Sequence, residues 1–404
     1  MKSLSVNALA APTSGIRKIF NLAVKMDDCV KLMVGEPDFP TPEHIVEAAC
    51  KALHEGKTGY TVSAGIPQLR ALIAESVGKR KGIHADPEQQ VIVTNGATGA
   101  LYLSMKALMN PGDEIIIGVP LFSNYLGQAI SIGAVPKFVT LREENGFIMD
   151  CEDLEKAVTP KTKAILLNSP SNPVGSIISP ETLGKIAEIA VKHDLYVISD
   201  EVYQDYNYGG VPVVSIASFP GMQERTVIID SFSKTYAMTG WRVGYAVSSP
   251  EIIRLMISMQ DDVISCVNTM AQYAAVEALS GPQNSVRQMI DEFRVRRDLL
   301  VEGIEKIEGL KCVKPNGAFY LYVNISGTGL TSEDFAMRLL REARVAVVPG
   351  TAFGPGGTEY VRISYVTSQK NLLKGVKRIS NFVKNLKLEK EGIQDADQRT
   401  CGKI

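Results

Sequence analysis

In T-V-I-I-D-S-F-S-K-T, residues 226–235, a β-branched apolar run ends in an acid and then in a lysine set among hydroxyls. A run this short, apolar without alternation, reads as a strand buried on both faces. The same form recurs upstream at 90–94 (Q-V-I-V-T), 114–117 (E-I-I-I), 163–168 (K-A-I-L-L-N) and 196–200 (Y-V-I-S-D), and downstream at 243–247 (V-G-Y-A-V). Helical patterns such as 99–109 and 180–193 lie between them. Strands alternating with helices predict an α/β fold, a mostly parallel central sheet between two helical layers.

After about residue 263 the pattern changes. Long helical stretches at 268–279 and 282–307 precede two strands, 318–323 and 360–365, which flank a helix at 332–344. This predicts a second, smaller α+β domain. The expected organisation is an N-terminal segment 1–48 contributing to the small domain, a large domain 49–285, the small domain 286–386, and a polar, frayed tail 387–404.

Whole-chain totals exclude more than they assign. With 43 basic against 44 acidic side chains in 404 residues, the chain has no basic footprint for nucleic acid. No apolar run reaches the roughly 18 residues needed to span a bilayer. The N-terminus has no continuous apolar segment of the kind a secretory signal requires. Six scattered cysteines without C-x-x-C read as reduced thiols, so a cytoplasmic location is expected. The four histidines show no metal-ligand spacing, and no metal is expected.

Ligands of open parallel sheets bind beyond the carboxyl ends of the strands, so the residues that follow each strand carry the functional reading. After 90–94 comes N-G-A-T-G, residues 95–99, whose backbone N–H groups at a helix start suit a phosphate, although a plain strand-to-helix turn reads the same way. After 163–168 comes S-P-S-N-P-V-G, in which two prolines bracket Asn172; a rigid turn is an equal reading. Asp200 ends its strand, where an acid is often only a helix cap. Lys234 follows Asp230 and Ser231, with Arg242 eight residues on, beside the only tryptophan. A lysine in such a pocket sheds its proton readily and attacks carbonyls. A phosphate cradle, an Asn, an Asp, a Lys and an Arg together match one aldehyde-bearing aromatic phosphate, pyridoxal 5′-phosphate (PLP).

These motifs resemble the class I/II aminotransferases of PLP fold type I over nearly the whole chain. V-G-E-P-D-F (34–39), G-Y-T-V-S-A-G-I-P-Q-L-R (59–70), T-N-G-A-T-G-A-L (94–101), N-S-P-S-N-P-V-G (168–175), S-D-E-V-Y (199–203), S-F-S-K-T-Y-A-M-T-G-W-R-V-G-Y (231–245), N-G-A-F-Y (316–320) and V-R-I-S-Y (361–365) occur in family order. The resemblance implies that Lys234 forms the internal aldimine and then shuttles the proton between Cα and C4′. It implies that Asp200 pairs with the pyridine nitrogen, and that Asn172 and Tyr203 bond the ring 3-oxygen. Phe122 would stack on the ring. Ala97, Thr98, Ser231, Ser233 and Arg242 would hold the phosphate, and Arg362 the substrate α-carboxylate, with Gly35 letting backbone approach it. Tyr60 resembles the tyrosine that reaches the phosphate of the partner subunit, which implies a homodimer with shared active sites.

One departure bears on specificity. Some dicarboxylate-specific members carry a second arginine in the stretch equivalent to V-I-S-C-V-N, residues 263–268, and none stands there. The expected activity is transfer of the amino group of an L-amino acid, whether aspartate, aromatic or other, to a 2-oxo acid such as 2-oxoglutarate. The rivals are a PLP-dependent lyase or racemase on the same scaffold, and a non-catalytic PLP-binding regulator. The regulator is disfavoured because the motifs begin near Val34 and leave no room for an N-terminal DNA-binding module.

Overall fold

The computed structural model describes residues 3–10 and 15–401, and the side chains of 3–10 and 19–389. The chain divides into two units. The larger holds Glu36–Asp291, Asn316–Ala318 and the described part of Met1–Thr13. The smaller holds Glu292–Pro315 and the described parts of Ser14–Gly35 and Phe319–Ile404.

Seven strands build the larger unit: β1 (Val91–Thr94), β2 (Glu114–Val119), β3 (Val135–Thr140), β4 (Thr162–Asn168), β5 (Tyr196–Asp200), β6 (Thr226–Ser231) and β7 (Gly244–Val247). They lie in the order β1-β7-β6-β5-β4-β2-β3. β3, β2, β4, β5 and β6 run parallel, and β7 runs antiparallel to both β6 and β1. The sheet is therefore mostly parallel, as expected, with a single reversed strand next to one edge. β3 escapes the sequence reading because it is an edge strand with a proline and mostly half-exposed side chains, so it lacks the continuous apolar signature.

Because β7 is reversed, its start lies where its neighbours end. Gly244 pairs with Ser231 on one side and with Thr94 on the other. Across the parallel part, Asn168 pairs with Asp200, and Asp200 with Ile229. Four segments of chemical interest thus leave the sheet along one edge.

Alternation along the strands sorts the core into two faces. On one, Ile92, Ile115, Ile117, Leu166, Ile198 and Ile229 pack with the helices Gly96–Leu108, Ser123–Ser131 and Pro250–Ile264. On the other, Val91, Val93 and Ile228 pack with Pro67–Lys81 and Thr269–Ser280, while Ile165 and Val197 pack with Pro180–Lys192. Each such side chain stabilises the fold by roughly 1.5–3 kcal/mol through removal from water. The result is the expected three-layer α/β/α arrangement.

In the smaller unit, Val348–Pro349, Tyr360–Ser364, Tyr320–Asn324 and Lys311–Cys312 form an antiparallel sheet in that order. Val30–Lys31 pairs in parallel with Val345–Ala346. The helices Gly15–Ala23, Ser332–Ala343 and Gln369–Cys401 and the C-terminal part of Asn284–Glu305 also belong to this unit. The helix Gln369–Cys401 runs through 387–401, the segment expected as a tail, and 402–404 lie outside the described residues. Residues 36–48 group with the larger unit, because Thr41 Oγ1 donates to Ala237 O at 2.7 Å and Thr239 Oγ1 donates to Glu36 Oε2 at 2.7 Å. Residues 316–318 do so as well, with Tyr208 N–H donating to Asn316 O at 2.9 Å.

The close approach of β7 to the turn after β1 is testable. A methyl group on Gly244 would stand 2.6 Å from both Ala97 N and Gly96 C, which are backbone atoms. Gly244→Ala is expected to cost about 2 kcal/mol of unfolding free energy in urea, the usual scale of overpacking. Gly240→Ala, where a methyl meets nothing within 4 Å, is the control; equal losses from both would refute the contact.

Candidate active site

Asp200 ends β5 with its side chain 3 % exposed. Tyr125 Oη donates to its Oδ2 at 2.6 Å and Val202 N–H to its Oδ1 at 3.3 Å. Burial pushes this carboxyl from the usual 3.8 up to about 6, and the Tyr125 and Val202 hydrogen bonds offset only part of that rise. The arrangement holds an acid at a threshold where a cationic ring N–H placed beside it would fix the ionised form.

The neighbouring strand end is tied to the same residue. Asn168 Nδ2 donates to Asp200 O at 3.0 Å, and Asn168 Oδ1 accepts from Asn172 N–H at 2.8 Å. Asn172 is buried, between the cis peptides Ser169-Pro170 and Asn172-Pro173. Tyr203 is buried as well, with its ring edge-on to Tyr206 at 6.5 Å. Tyr206 Oη donates to Lys234 O at 2.7 Å, which anchors the backbone of the lysine.

Beyond β6 the chain turns through the short helix Phe232–Thr235, and Lys234 is half-buried. Ser231 Oγ accepts from Ser233 N–H at 3.1 Å and lies 2.9 Å from Ser233 Oγ. Arg242 then takes a left-handed backbone, φ 57°, and donates from Nη1 to Thr239 O at 2.9 Å. Its guanidinium lies against Gly96: a methyl on Gly96, itself at φ 67°, would stand 2.5 Å from Arg242 Nη2. Only glycine leaves room there. Ala97 and Thr98 follow in the first turn of the helix Gly96–Leu108, so hydroxyls, helix N–H groups and a guanidinium gather at one place. That donor set suits a phosphate dianion.

Phe122 follows β2 and meets Tyr125 edge-on at 5.5 Å. Tyr60 stands 90 % exposed, on a segment fixed by Thr269 Oγ1 donating to Gly59 O at 2.7 Å. In the smaller unit, Arg362 is 2 % exposed; it donates from Nη2 to Met33 O at 2.8 Å and lies over the rings of Tyr320 (4.3 Å) and Phe353 (4.9 Å). Gly35 lies close to Tyr320, whose hydroxyl would be 3.0 Å from a methyl placed on it.

Several residues of the site are absent from the sequence reading. Tyr125 is three residues after Phe122, a helical spacing that hints at a paired aromatic but not at its acid partner. Asn168 and Gly96 stand inside motifs without a role of their own. Thr41 donates to Ala237 O and accepts from Trp241 Nε1 at 3.0 Å, which no local pattern signals across some 200 residues.

The sequence pattern of the family described as aminotransferase class I and II matches residues 27–379. The chain belongs to this family. It is 44% identical over 377 residues to an aspartate aminotransferase of Pyrococcus abyssi, covering 93% of this chain and 97% of that one. It is 42% identical to aromatic-amino-acid aminotransferase 2 of Thermococcus litoralis, with the same coverage. Among solved structures, the aspartate aminotransferase of Thermus thermophilus with maleate superposes with a TM-score of 0.90 at 39% identity, covering 94% of this chain and 100% of that one. The enzyme is thus an aminotransferase of PLP fold type I, dependent on pyridoxal 5′-phosphate.

The residues present fit that cofactor: a buried acid for a ring nitrogen, a half-buried lysine for an aldehyde, and a glycine-floored donor cluster for a phosphate. Among the described residues no group of His, Cys, Asp or Glu could hold a metal ion, and no helix is long and apolar enough to cross a membrane.

The Asp200 environment predicts a trade between stability and function. Its folded carboxyl holds the proton more tightly than an unfolded one, so its contribution is complete below about pH 3.8 and is lost as pH rises through about 6. The loss amounts to about 3 kcal/mol. Asp200→Asn is therefore expected to raise the melting temperature of the cofactor-free chain at pH 8 and not at pH 4, while activity falls by more than about 100-fold. Melting curves at both pH values check the sign; a gain confined to pH 4 would contradict it.

Proposed function

We propose that this aminotransferase moves the amino group of an L-amino acid to a 2-oxo acid, with 2-oxoglutarate as the acceptor, in a two-stage exchange. The observation that supports this reading best is the alignment of Thr94, Ser231 and Gly244, and of Asn168 and Asp200, which brings the lysine, the acid and the phosphate donors to one sheet edge. When bound, PLP supplies an aldehyde that captures amines and a ring that stores the electron pair left by Cα proton removal.

Each residue then has a task. Lys234 would hold the cofactor through its aldehyde group, and its Nζ would serve as the base that takes the proton from the substrate Cα and returns it. Asp200 holds the proton on the ring nitrogen, with Tyr125 fixing the carboxylate. Asn172 and Tyr203 hydrogen-bond the ring 3-oxygen, and Phe122 covers the ring face. Ala97, Thr98, Ser231, Ser233 and Arg242 hold the phosphate. Arg362 receives the substrate α-carboxylate as a planar two-point pairing that lysine reproduces poorly, with Gly35 keeping the approach open.

Tyr60 completes the phosphate site of a second copy, which makes the enzyme a homodimer. Its 90 % exposure on a fixed segment suits delivery to a partner. A cytoplasmic location is part of the same proposal, supported by the five described cysteines, all free thiols. Related enzymes carry both aspartate and aromatic-amino-acid names, so the donor is sought among these two classes.

Borohydride reduction of the PLP-loaded enzyme should fix the cofactor on the peptide bearing Lys234, and Lys234→Ala should lose this product together with activity, by more than about 1000-fold. Label on another lysine would refute the assignment. A donor panel with 2-oxoglutarate should yield glutamate from aspartate or an aromatic donor, with no ammonia when the acceptor is omitted; ammonia and pyruvate would indicate a lyase instead. Arg362→Lys should raise the donor KM by about tenfold or more while PLP affinity stays within about twofold.

A further inference from the structure

Behind the sheet edge that carries the site lies a buried cluster of charges. The helix Pro67–Lys81 ends at Gly82, whose left-handed backbone caps it. Its last two residues, Arg80 and Lys81, point their charges at three carboxylates. Lys81 is 9 % exposed, a rare position for a lysine. Its Nζ bonds Glu201 Oε2 directly and lies 3.8 Å from Asp230 Oδ2. Glu201 and Asp230 are buried alongside it. Arg80 pairs with Asp205, which also accepts from Thr235 Oγ1 at 2.6 Å.

The remaining oxygens are occupied too. Glu201 Oε1 accepts from Ser199 Oγ at 2.8 Å and Ser215 Oγ at 2.7 Å. Asp230 accepts from Gln204 Nε2, from Tyr245 Oη at 2.9 Å and from its neighbour Ser231 N–H at 2.7 Å. Two cations thus face three acids. Nothing in the proposed reaction uses any of them.

Their place in the chain gives them a bearing on the site. Glu201 follows Asp200, Asp230 precedes Ser231, and Thr235 follows Lys234. Glu201 N–H donates to Ile229 O at 2.9 Å, so strand alternation extends one residue past β5. Ser199 and Glu201 therefore face the helix Pro67–Lys81, whereas Ile198 and Asp200 face the opposite layer with Tyr125. The titratable groups around Asp200 are the neutral Tyr125 hydroxyl on its own face, and the charged Glu201, Asp230, Asp205, Lys81 and Arg80 behind it. Glu201 and Asp230 oppose its ionisation. Lys81 is the cation that touches Glu201 and comes within 3.8 Å of Asp230, with Arg80 also favouring the ionised Asp230.

We propose that Lys81 is a positioning residue that offsets part of the negative charge of Glu201 and Asp230 from behind the sheet and thereby keeps Asp200 ionised for the cofactor ring nitrogen. The inference rests on the proposed role of Asp200 toward PLP. Without the Lys81 charge, one more unit of negative charge stands unbalanced behind Asp200, and its proton comes off at higher pH. The site then carries less negative charge near neutrality, and PLP binds more weakly there.

The test follows Asp200 in the full-length, cofactor-free protein by carboxyl 13C NMR, with Asp200→Asn to identify the resonance. In Lys81→Met the titration midpoint is expected to rise by about one pH unit. PLP affinity measured by fluorescence should weaken about threefold near pH 6.5, approach a tenfold loss below about pH 5, and recover by about pH 8.5. Lys81→Met/Glu201→Gln restores the charge count and should return both values toward wild type. Glu201→Gln alone keeps the lysine and should lower the midpoint, which carries the test should Lys81→Met not fold. An unmoved Asp200 midpoint in folded Lys81→Met or in Glu201→Gln overturns the proposal, whatever happens to stability. A wild-type protein that binds no PLP would instead overturn the functional reading, and the midpoints would still decide the role of Lys81.

Discussion

A carboxylate out of water at the end of a buried strand is the constraint around which the larger unit is arranged. Asp200 is surrounded on one side by the helix that carries Tyr125 and on the other by a strand neighbour whose Asn168 takes its backbone oxygen. Burial alone favours the neutral acid, and the structure answers with a short hydroxyl contact and a backbone N–H. Such a group is costly in isolation, and the role proposed for it, pairing with a protonated ring nitrogen, would offset that cost.

The proposed phosphate end meets a different constraint, one of space. Arg242 reaches the first turn of the helix Gly96–Leu108 because Gly96 has no side chain and because Gly244 lets β7 lie against the same turn. The backbone at Ala237 and Arg242 sits in the left-handed region, uncommon for residues with a Cβ. It is held there by contacts from far along the chain, with Thr41 bridging Ala237 and Trp241, and Glu36 taking the Thr239 hydroxyl. Strain of this kind persists where surrounding structure over-determines it.

Much of this was legible beforehand, for reasons that differ by residue. The runs at 114–117, 163–168, 196–200 and 226–230 stand out because strands buried on both faces need no polar residues. The ends of those strands are informative because ligands gather there, and Asn172, Asp200 and Lys234, the residues proposed to act, stand at or just beyond them. The edge strand Val135–Thr140 is half-solvated and left no such mark. The reversal of β7 was invisible too, because apolar composition carries no direction. Tyr125, Thr41 and Lys81 act through partners 75 to 200 residues away, and each looks ordinary in its own stretch.

The order of residues by itself determined that buried strands alternate with helices and that a lysine, an acid and small hydroxyl-bearing residues follow them. It also carried the family motifs, since these are local and each must be intact for its turn to form. Tertiary structure alone decided which strand ends become neighbours, which face each side chain takes, and how exposed each charge is. Those properties depend on register and on dielectric surroundings, and both arise only when segments distant in sequence pack together. The near-balance of 43 basic and 44 acidic groups says nothing of Asp200, Glu201 and Asp230 gathered at one buried edge, or of the helix end that brings Lys81 to them.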